Sequence, residues 1–238
     1  MRVLELFSGT GSVGKCCESL GWETISVDLL LPADHQIDIM DFDYKQYSKD
    51  YFDIIWASPP CTEYSNLKSC LLGKKMKNGE IYSKEIMEKN MIESDKLVSK
   101  TLEIINYFDC YYWFMENPQT GRLKNRDVVK GLNYYDVDYC MYSDWGYKKR
   151  TRIWTNKKDW NNLLCDGSGS CGNIIDGKHK SNLGTIHYGY VNNKLIPINT
   201  AELRKKYGDK IIKGKRKSIS QLEKYRIPED LIFSLFLD

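Results

Sequence analysis

The 238-residue sequence contains no hydrophobic run close to the roughly 18 residues that a membrane-spanning helix needs. It also lacks a signal-peptide pattern, because the apolar stretch that begins at Val3 breaks at Ser8 and Gly9. There is no internal repeat and no low-complexity tail. These absences predict an intracellular protein, cytoplasmic or nuclear and not secreted, with no membrane partner. The length fits one large domain, or one domain with a small appendage.

A strong charge of one sign is missing as well. The 35 Lys and Arg residues nearly balance the 32 Asp and Glu residues, and a net charge of +3 does not by itself indicate nucleic-acid binding. Local basic clusters at 73–79 and 147–152 fit solvated lysines as well as phosphate contacts. No tight C-x-x-C pair occurs among the eight cysteines, which in an intracellular protein are more often thiols or metal ligands than disulfides.

Short apolar runs alternate with helical patterns through most of the chain. Strands are predicted at 3–7, 23–28, 51–58, 111–117, 134–142 and 150–155, a short strand followed by a turn at 36–43, and helices at 11–21 and 84–108. This alternation predicts an α/β fold with a doubly wound, parallel, Rossmann-like sheet. Ligands of such sheets bind beyond the carboxyl ends of the strands. Gly9, Asp28, Cys61 and Glu116 all fall at or beyond predicted strand ends.

The alternation ends near residue 156, where Gly, Asn, Ser and Lys begin to dominate. Helical periodicity returns only at 221–237. We therefore predict a core at 1–156, a small irregular subdomain at 157–198, and a C-terminal segment at 199–238 that returns to the core.

The loop after the first strand reads GTGSVG (9–14) and matches G-x-G-x-x-G between a strand and a helix. Its glycines let the backbone approach a ligand closely, and Asp28, at the end of the next strand, suits ribose hydroxyls. The motif leaves three interpretations open. They are a nicotinamide site, a site for the methyl donor S-adenosylmethionine, and a structural turn.

The segment SPPCTEYS (58–65) places two stiff prolines directly before Cys61. A lone cysteine at a strand end is more often a packing residue, and Glu116-Asn117 alone would more often be a turn or cap. A thiol whose backbone is stiffened by two prolines nevertheless suits a nucleophile. Methylation of cytosine carbon 5 needs a thiolate that adds at carbon 6, an acid at ring nitrogen 3 and a methyl donor. Cys61, Glu116 and the glycine loop fit these roles, whereas hydride transfer does not need a rigid Pro-Pro-Cys.

With these motifs in order, the chain resembles the DNA cytosine-5 methyltransferase family, and in particular its small phage and virus members. The matching segments are ELFSGTGSVG (5–14), Asp28, IDI (37–39), SPPCTEYS (58–65), MENPQ (115–119), KKRTRIW (148–154) and, more faintly, YRIPEDL (225–231). The resemblance departs from the family pattern at Thr62, Pro118 and Lys148, and the last segment lacks Gly-Asn. None of these departures affects the nucleophile or the acid.

The resemblance implies a role for each matching residue. Cys61 would be the nucleophile and Glu116 the acid at ring nitrogen 3, while Arg152 would contact the cytosine carbonyl oxygen and Arg150 would support the site. The residues that would frame S-adenosylmethionine are Phe7, Ser8, Gly9, Thr10, Gly11, Asp28, Leu29, Asp38, Ile39 and Pro59. The implied partner is duplex DNA with a flipped cytosine, over which the lysine-rich loop 62–83 would close. The short region after the arginine motif would recognise the target, and a monomer is favoured.

A possible structural zinc site accompanies these motifs. Its candidate ligands are Cys140, Cys165, Cys171 and His179. A glycine-rich region buries little core, so a metal would help to hold it. The spacing is irregular and leaves free thiols as the alternative, whereas the resemblance to phage and virus members favours zinc.

Three other functions stay open at this level. The same chemistry could act on RNA or a free nucleotide. The chain could be a non-catalytic DNA-binding relative, which intact Cys61 and Glu116 disfavour. A nicotinamide oxidoreductase is the third.

Overall fold

A seven-stranded sheet forms the centre of the computed structural model, which describes residues 1–175, 177–181, 188–191, 194–197, 212–213 and 221–237. Its strands are β1 (Arg2–Leu6), β2 (Glu23–Asp28), β3 (His35–Gln36), β4 (Ile54–Ala57), β5 (Tyr112–Pro118), β6 (Tyr134–Asp138) and β7 (Arg150–Thr155). They lie in the order β3-β2-β1-β4-β5-β7-β6. Pairs from β3 to β5 are parallel, whereas β7 is antiparallel to β5 and β6. The predicted α/β fold is confirmed. Its antiparallel edge follows from the short β6–β7 connection, which contains no crossover helix.

Helices cover both faces of this sheet. Helix α2 (Lys84–Tyr107) covers one face, and α1 (Ser12–Ser19) and α4 (Glu229–Leu237) cover the other, while the short α3 (Gln221–Tyr225) precedes α4. Successive strand residues point to opposite faces. Leu4 and Ile55 therefore share one core with Val98 of α2, whereas Val3 and Trp56 share another with residues of α1 and α4. Among the described residues, no helix is both long and apolar enough to span a membrane.

Several elements are shorter than predicted or are divided. Strand β4, expected at 51–58, covers Ile54–Ala57. The short strand and turn expected at 36–43 are observed as β3, which covers His35–Gln36, and a turn in which Asp38 accepts a hydrogen bond from the Met40 amide at 2.9 Å. The strand expected at 134–142 ends at Asp138 and continues as a 3-10 helix at Tyr139–Met141. The C-terminal periodic stretch is two helices, since Pro228 disfavours a helical conformation at the preceding residue.

Short antiparallel ladders follow β7 in the sequence. Strand β8 (Ile174–Ile175) pairs with β9 (Lys178–His179), and β10 (Tyr188–Val191) pairs with β11 (Lys194–Pro197) and β12 (Ile212–Lys213). Of the predicted subdomain and C-terminal segment, residues 176, 182–187, 192–193, 198–211, 214–220 and 238 lie outside the described residues. The division of the chain into three parts therefore stays a prediction.

Candidate active site

A cavity of about 650 Å³ opens at the carboxyl ends of the parallel strands. Most of the predicted site residues line it, namely Phe7, Ser8, Gly9, Asp28, Leu29, Asp38, Ile39, Pro59, Cys61, Glu116 and Arg150. They come from six separate segments of the chain. The parallel sheet brings these segments together because the carboxyl ends of its strands meet at one edge.

Three predicted residues lie elsewhere. Thr10 lines a second cavity beside the first, and Gly11 caps the start of α1. Arg152 does not line the cavity. Its guanidinium is paired with Asp136, at 2.8 Å and 3.0 Å, and lies 3.5 Å from the centre of the Tyr134 ring.

The glycine loop turns sharply away from β1. Phe7, Gly9 and Gly11 all have positive φ, at 56°, 55° and 65°, a region that glycine adopts readily and phenylalanine rarely. The amide of Gly9 donates to Asp28 Oδ2 at 2.9 Å. The other oxygen of Asp28 accepts from the amides of Leu30 and Leu31, at 2.8 Å each. Asp28 therefore holds the loop after β1 against the loop after β2.

Glu5 is not among the predicted site residues. Its side chain supplies the N-terminal cap that α1 otherwise lacks. The helix starts after a glycine, which has no side chain to accept the first amides. Glu5 accepts from the amides of Val13 at 3.2 Å and Gly14 at 3.0 Å. Burial is the main cause that raises the pKa of Glu5 from 4.5 to about 7, against the opposing effect of these two bonds.

This pKa shift predicts that Glu5 lowers the stability of the protein as the pH rises. Between pH 4.5 and about 7 the folded state holds a proton on Glu5 that the unfolded state has lost, so the contribution is fully present below 4.5 and is lost towards 7. The full loss would be about 3 kcal/mol. We expect urea unfolding of wild type to show this decline and Glu5→Gln to lack it. A matching decline in Glu5→Gln would contradict the assignment.

The Pro-Pro-Cys segment is fastened to β5 by a buried amide. The Asn117 side chain donates to the carbonyl oxygen of Pro59 at 2.9 Å. This bond holds the cysteine loop beside the strand that carries Glu116, so both residues face one cavity. Burial raises the pKa of the Cys61 thiol, the Glu116 carboxylate adds to the increase, and Lys149 opposes it.

Two residues outside the expected site set contact Glu116. Tyr139 is fully buried, and its hydroxyl lies 3.2 Å from Glu116 Oε1. The ammonium of Lys149 lies 3.6 Å from the same oxygen. The sequence contains both residues near recognised motifs, but their convergence depends on the packing of β6 and β7 beside β5.

Arg150 is held at the cavity wall by a buried carboxylate. It donates to Asp138 at 3.0 Å and 2.7 Å. Burial opposes ionisation of Asp138, but hydrogen bonds from Arg150 and from the Cys165 amide outweigh it and place its pKa below the ordinary value. Asp138 thereby joins the arginine motif to the cysteine-rich region.

The four predicted metal ligands converge in space. The sulfur atoms of Cys140, Cys165 and Cys171 and a ring nitrogen of His179 all lie within 4.8 Å of one another. His179 Nε2 is 3.7 Å from both Cys165 Sγ and Cys171 Sγ. Tetrahedral zinc, with Zn–S of about 2.3 Å and Zn–N of about 2.0 Å, needs ligand separations of about 3.5–3.8 Å. The donor set and its spacing therefore fit zinc.

A buried amide organises the backbone around this cluster. The side-chain nitrogen of Asn173 lies within hydrogen-bonding distance of the carbonyl oxygens of Cys140 (2.9 Å), Ser143 (2.7 Å) and Cys171 (3.0 Å). Its side-chain oxygen accepts from the Gly146 amide at 3.1 Å. This role could not be predicted from the sequence, because an asparagine in a glycine-rich stretch normally suggests a turn.

The loop at 62–83 is anchored at its root and exposed at its tip. The buried Tyr64 hydroxyl donates to Asp95 of α2 at 2.9 Å, and Arg126 donates to the same carboxylate at 2.6 Å. The tip exposes Lys74, Lys75 and Lys77. The expected closure over a base stays a prediction.

Comparison with known proteins finds a relative in sequence and solved structures with a similar fold. The chain is 40% identical over 176 residues to a protein named "Probable DNA (cytosine-5)-methyltransferase" of Frog virus 3 (isolate Goorha), covering 73% of this chain and 79% of that protein. The solved structure of the Entamoeba histolytica methyltransferase EhMeth matches with a TM-score of 0.56 and 14% identity, covering 99% of this chain and 96% of the other. That second likeness concerns the fold alone. No protein-family model matches.

Proposed function

Because the chain belongs to the family of DNA (cytosine-5)-methyltransferases, we propose that it transfers a methyl group from S-adenosylmethionine to carbon 5 of cytosine in DNA. The observation that carries the proposal is one cavity in which the Cys61 thiol and the Glu116 carboxyl group face the glycine loop. A thiol and a carboxyl group beside a nucleoside-type pocket are the groups that this reaction needs.

The cavity fits the proposed methyl donor. Its volume of about 650 Å³ lies within the roughly 300–1,000 Å³ of small-molecule sites. Leu29, Ile37 and Ile39 offer apolar walls for an adenine ring, while Asp28 and Asp38 offer hydrogen-bond acceptors. S-Adenosylmethionine, when bound, supplies an electrophilic methyl group on a positively charged sulfur.

In the proposed mechanism, Cys61 and Glu116 act together on the base. The Cys61 thiolate forms a bond to carbon 6, and Glu116 gives a proton to ring nitrogen 3, so that carbon 5 gains enamine character. Carbon 5 then takes the methyl group, and the electrons of the broken S–CH₃ bond stay on the donor sulfur. Loss of the carbon 5 proton to water expels the Cys61 thiolate, and the proton on ring nitrogen 3 returns to Glu116, which restores the neutral aromatic ring.

The half-buried position of Cys61 also implies base flipping. A thiol inside a cavity cannot reach carbon 6 of a stacked base, so the cytosine must leave the duplex. Arg150 already lines the cavity, whereas Arg152 must leave Asp136 before it can contact the carbonyl oxygen of the base. The exposed lysines of the loop tip would then meet phosphates.

We further propose that Cys140, Cys165, Cys171 and His179 hold one structural zinc ion. Four protein ligands leave no open position, which is typical of structural rather than catalytic zinc. The hydrogen bonds of Asn173 and Asp138 to the ligand-bearing backbone are the outer contacts that such sites use. The region 157–198 would recognise the target in a monomeric enzyme.

The direct test is transfer of a labelled methyl group from S-adenosylmethionine to mixed-sequence duplex DNA, followed by nucleoside mass spectrometry. We expect 5-methylcytosine from the duplex. Parallel reactions with single-stranded DNA, RNA and cytidine nucleotides report substrate class. Label found only on RNA or nucleotides would overturn the assignment to DNA.

A thermal-shift comparison completes this test. We expect S-adenosylhomocysteine, and not NAD, to raise the unfolding temperature, because only a ligand of the folded state stabilises it. Stabilisation without transfer to any of the four substrates would favour a non-catalytic DNA-binding relative. Stabilisation by NAD alone would favour an oxidoreductase.

A further inference from the structure

We propose that Lys149 is a positioning residue of the active site, which holds Glu116 in place and supplies the positive charge that favours the Cys61 thiolate. The inference rests on the proposed function for its catalytic meaning. Its geometry and its test concern Cys61 chemistry and do not need methyl transfer.

Lys149 is fixed by contacts from three parts of the fold. Its ammonium lies 3.6 Å from Glu116 Oε1 on β5 and donates to the carbonyl oxygen of Lys224 on α3 at 3.2 Å. It also lies 4.6 Å from the centre of the Tyr139 ring, which follows β6. With a side chain only 13% exposed, Lys149 is largely shielded from water, and its charge acts more strongly there than at the surface.

The cations on either side of Lys149 in the sequence, Lys148 and Arg150, have other partners. Lys148 donates to the carbonyl oxygen of Cys165 at 2.8 Å and lies 3.3 Å from Asp138, which also binds Arg150. The ammonium of Lys149 instead lies 3.6 Å from Glu116 Oε1, and Lys149 lines the same cavity as Cys61. The remaining charged or titratable groups on the cavity wall are Glu5, Asp28, Asp38, Lys148, Arg150, Lys224 and Tyr225.

The electrostatic balance at Cys61 follows from this arrangement. Burial and the Glu116 carboxylate both disfavour a thiolate at Cys61, while Lys149 favours it. A nucleophile in this cavity therefore depends on a cation that stays close. Because Lys149 also restrains Glu116 Oε1, one residue serves both members of the pair.

The chain contains a matched control whose residues do not line the cavity. Lys100 lies 2.9 Å from Glu103 Oε1 and 4.9 Å from the centre of the Tyr44 ring, and the Tyr44 hydroxyl donates to the same carboxylate oxygen at 2.6 Å. This Lys–Tyr–Glu arrangement repeats that of Lys149, Tyr139 and Glu116. Lys100→Met therefore removes the same type of contacts without touching the site.

The test measures alkylation of Cys61 by iodoacetamide from pH 6 to 10, read as modification of the Cys61 peptide by mass spectrometry. We expect Lys149→Met to slow alkylation at pH 8 about tenfold, since a pKa raised by about one unit lowers the thiolate fraction by that factor. Lys149→Arg keeps the charge and should stay within about threefold of wild type. Lys100→Met should match wild type.

Kinetics provide the second readout. In Lys149→Met the rising limb of the pH–kcat profile should move up by about one unit, with the KM for DNA changed less than about threefold. If Lys149→Met does not fold, Lys149→Gln takes its place and should give the same slowing.

Alkylation curves of a folded Lys149→Met that superimpose on wild type would overturn the proposal, as would Lys149→Arg reacting as slowly as Lys149→Met. Slowed alkylation in a Lys149→Met variant of a protein that methylates none of the substrates would support the proposed role of Lys149 and contradict the proposed function. The two proposals therefore fail separately.

Discussion

Replacing Cys61 by alanine should lower kcat for methyl transfer by roughly 10⁴-fold or more, as removal of a covalent nucleophile does in other enzymes. The rest of the site cannot compensate, because Glu116 and the cations on the cavity wall can stabilise charge on the base but cannot add to carbon 6. The variant should fold normally and still bind S-adenosylhomocysteine, since the change removes one sulfur atom from a half-buried position.

Cys110→Ala is the matched control for this prediction. Cys110 is half-buried like Cys61, and burial raises the pKa of its thiol to about 11. It lies just before the amino end of β5, whereas the cavity opens at the carboxyl ends of the strands. We expect its transfer rate to equal that of wild type. Transfer by Cys61→Ala within tenfold of wild type would exclude the covalent mechanism.

Loss of the proposed zinc ion should have the largest effect on stability. Structural zinc contributes on the order of 10 kcal/mol in small zinc-binding peptides, so we expect Cys165→Ser to lower the unfolding temperature by roughly 10 °C or more. Protein purified without chelators should contain about one zinc per chain by elemental analysis, and Cys165→Ser should contain much less. Cys70→Ser, at an exposed cysteine outside the cluster, is the control.

Metal loss should also weaken catalysis indirectly. The Cys165 amide donates to Asp138 at 2.9 Å, and Asp138 holds Arg150 at the cavity wall. Displacement of Cys165 would therefore remove one hydrogen bond that orients Asp138, and the Arg150 side chain would be held less firmly at the cavity wall. Less than about a tenth of an equivalent of zinc in wild type would remove the metal proposal.

The sequence alone determined the central elements of the fold and indicated the two residues proposed to act on the base. The apolar runs of β1, β2, β4 and β5 are local patterns, and local patterns are sufficient to predict strands. Once the strands are parallel, their carboxyl ends must meet at one edge. Cys61 and Glu116 are therefore expected near the glycine loop without knowledge of any contact.

Only the tertiary structure revealed which side chains support those residues. Glu5 caps a helix that begins seven positions after it in the chain, and Asn117 fastens the Pro59 loop across 58 positions. Lys149 reaches Glu116 through the antiparallel placement of β7 beside β5, which no pattern in the sequence specified. These contacts join residues far apart in sequence, and local periodicity carries no information about them.

The cysteine cluster and Arg152 are two further cases in which packing decided what the sequence could not. The irregular spacing of Cys140, Cys165, Cys171 and His179 left metal binding open, and folding brought their ligand atoms within 4.8 Å of one another. Arg152 lies in a clear motif, yet the register of β6 and β7 places Asp136 directly opposite it and directs its guanidinium to that carboxylate. Residue type determined what these side chains can bind, and the packing of distant segments decided which partner each one meets.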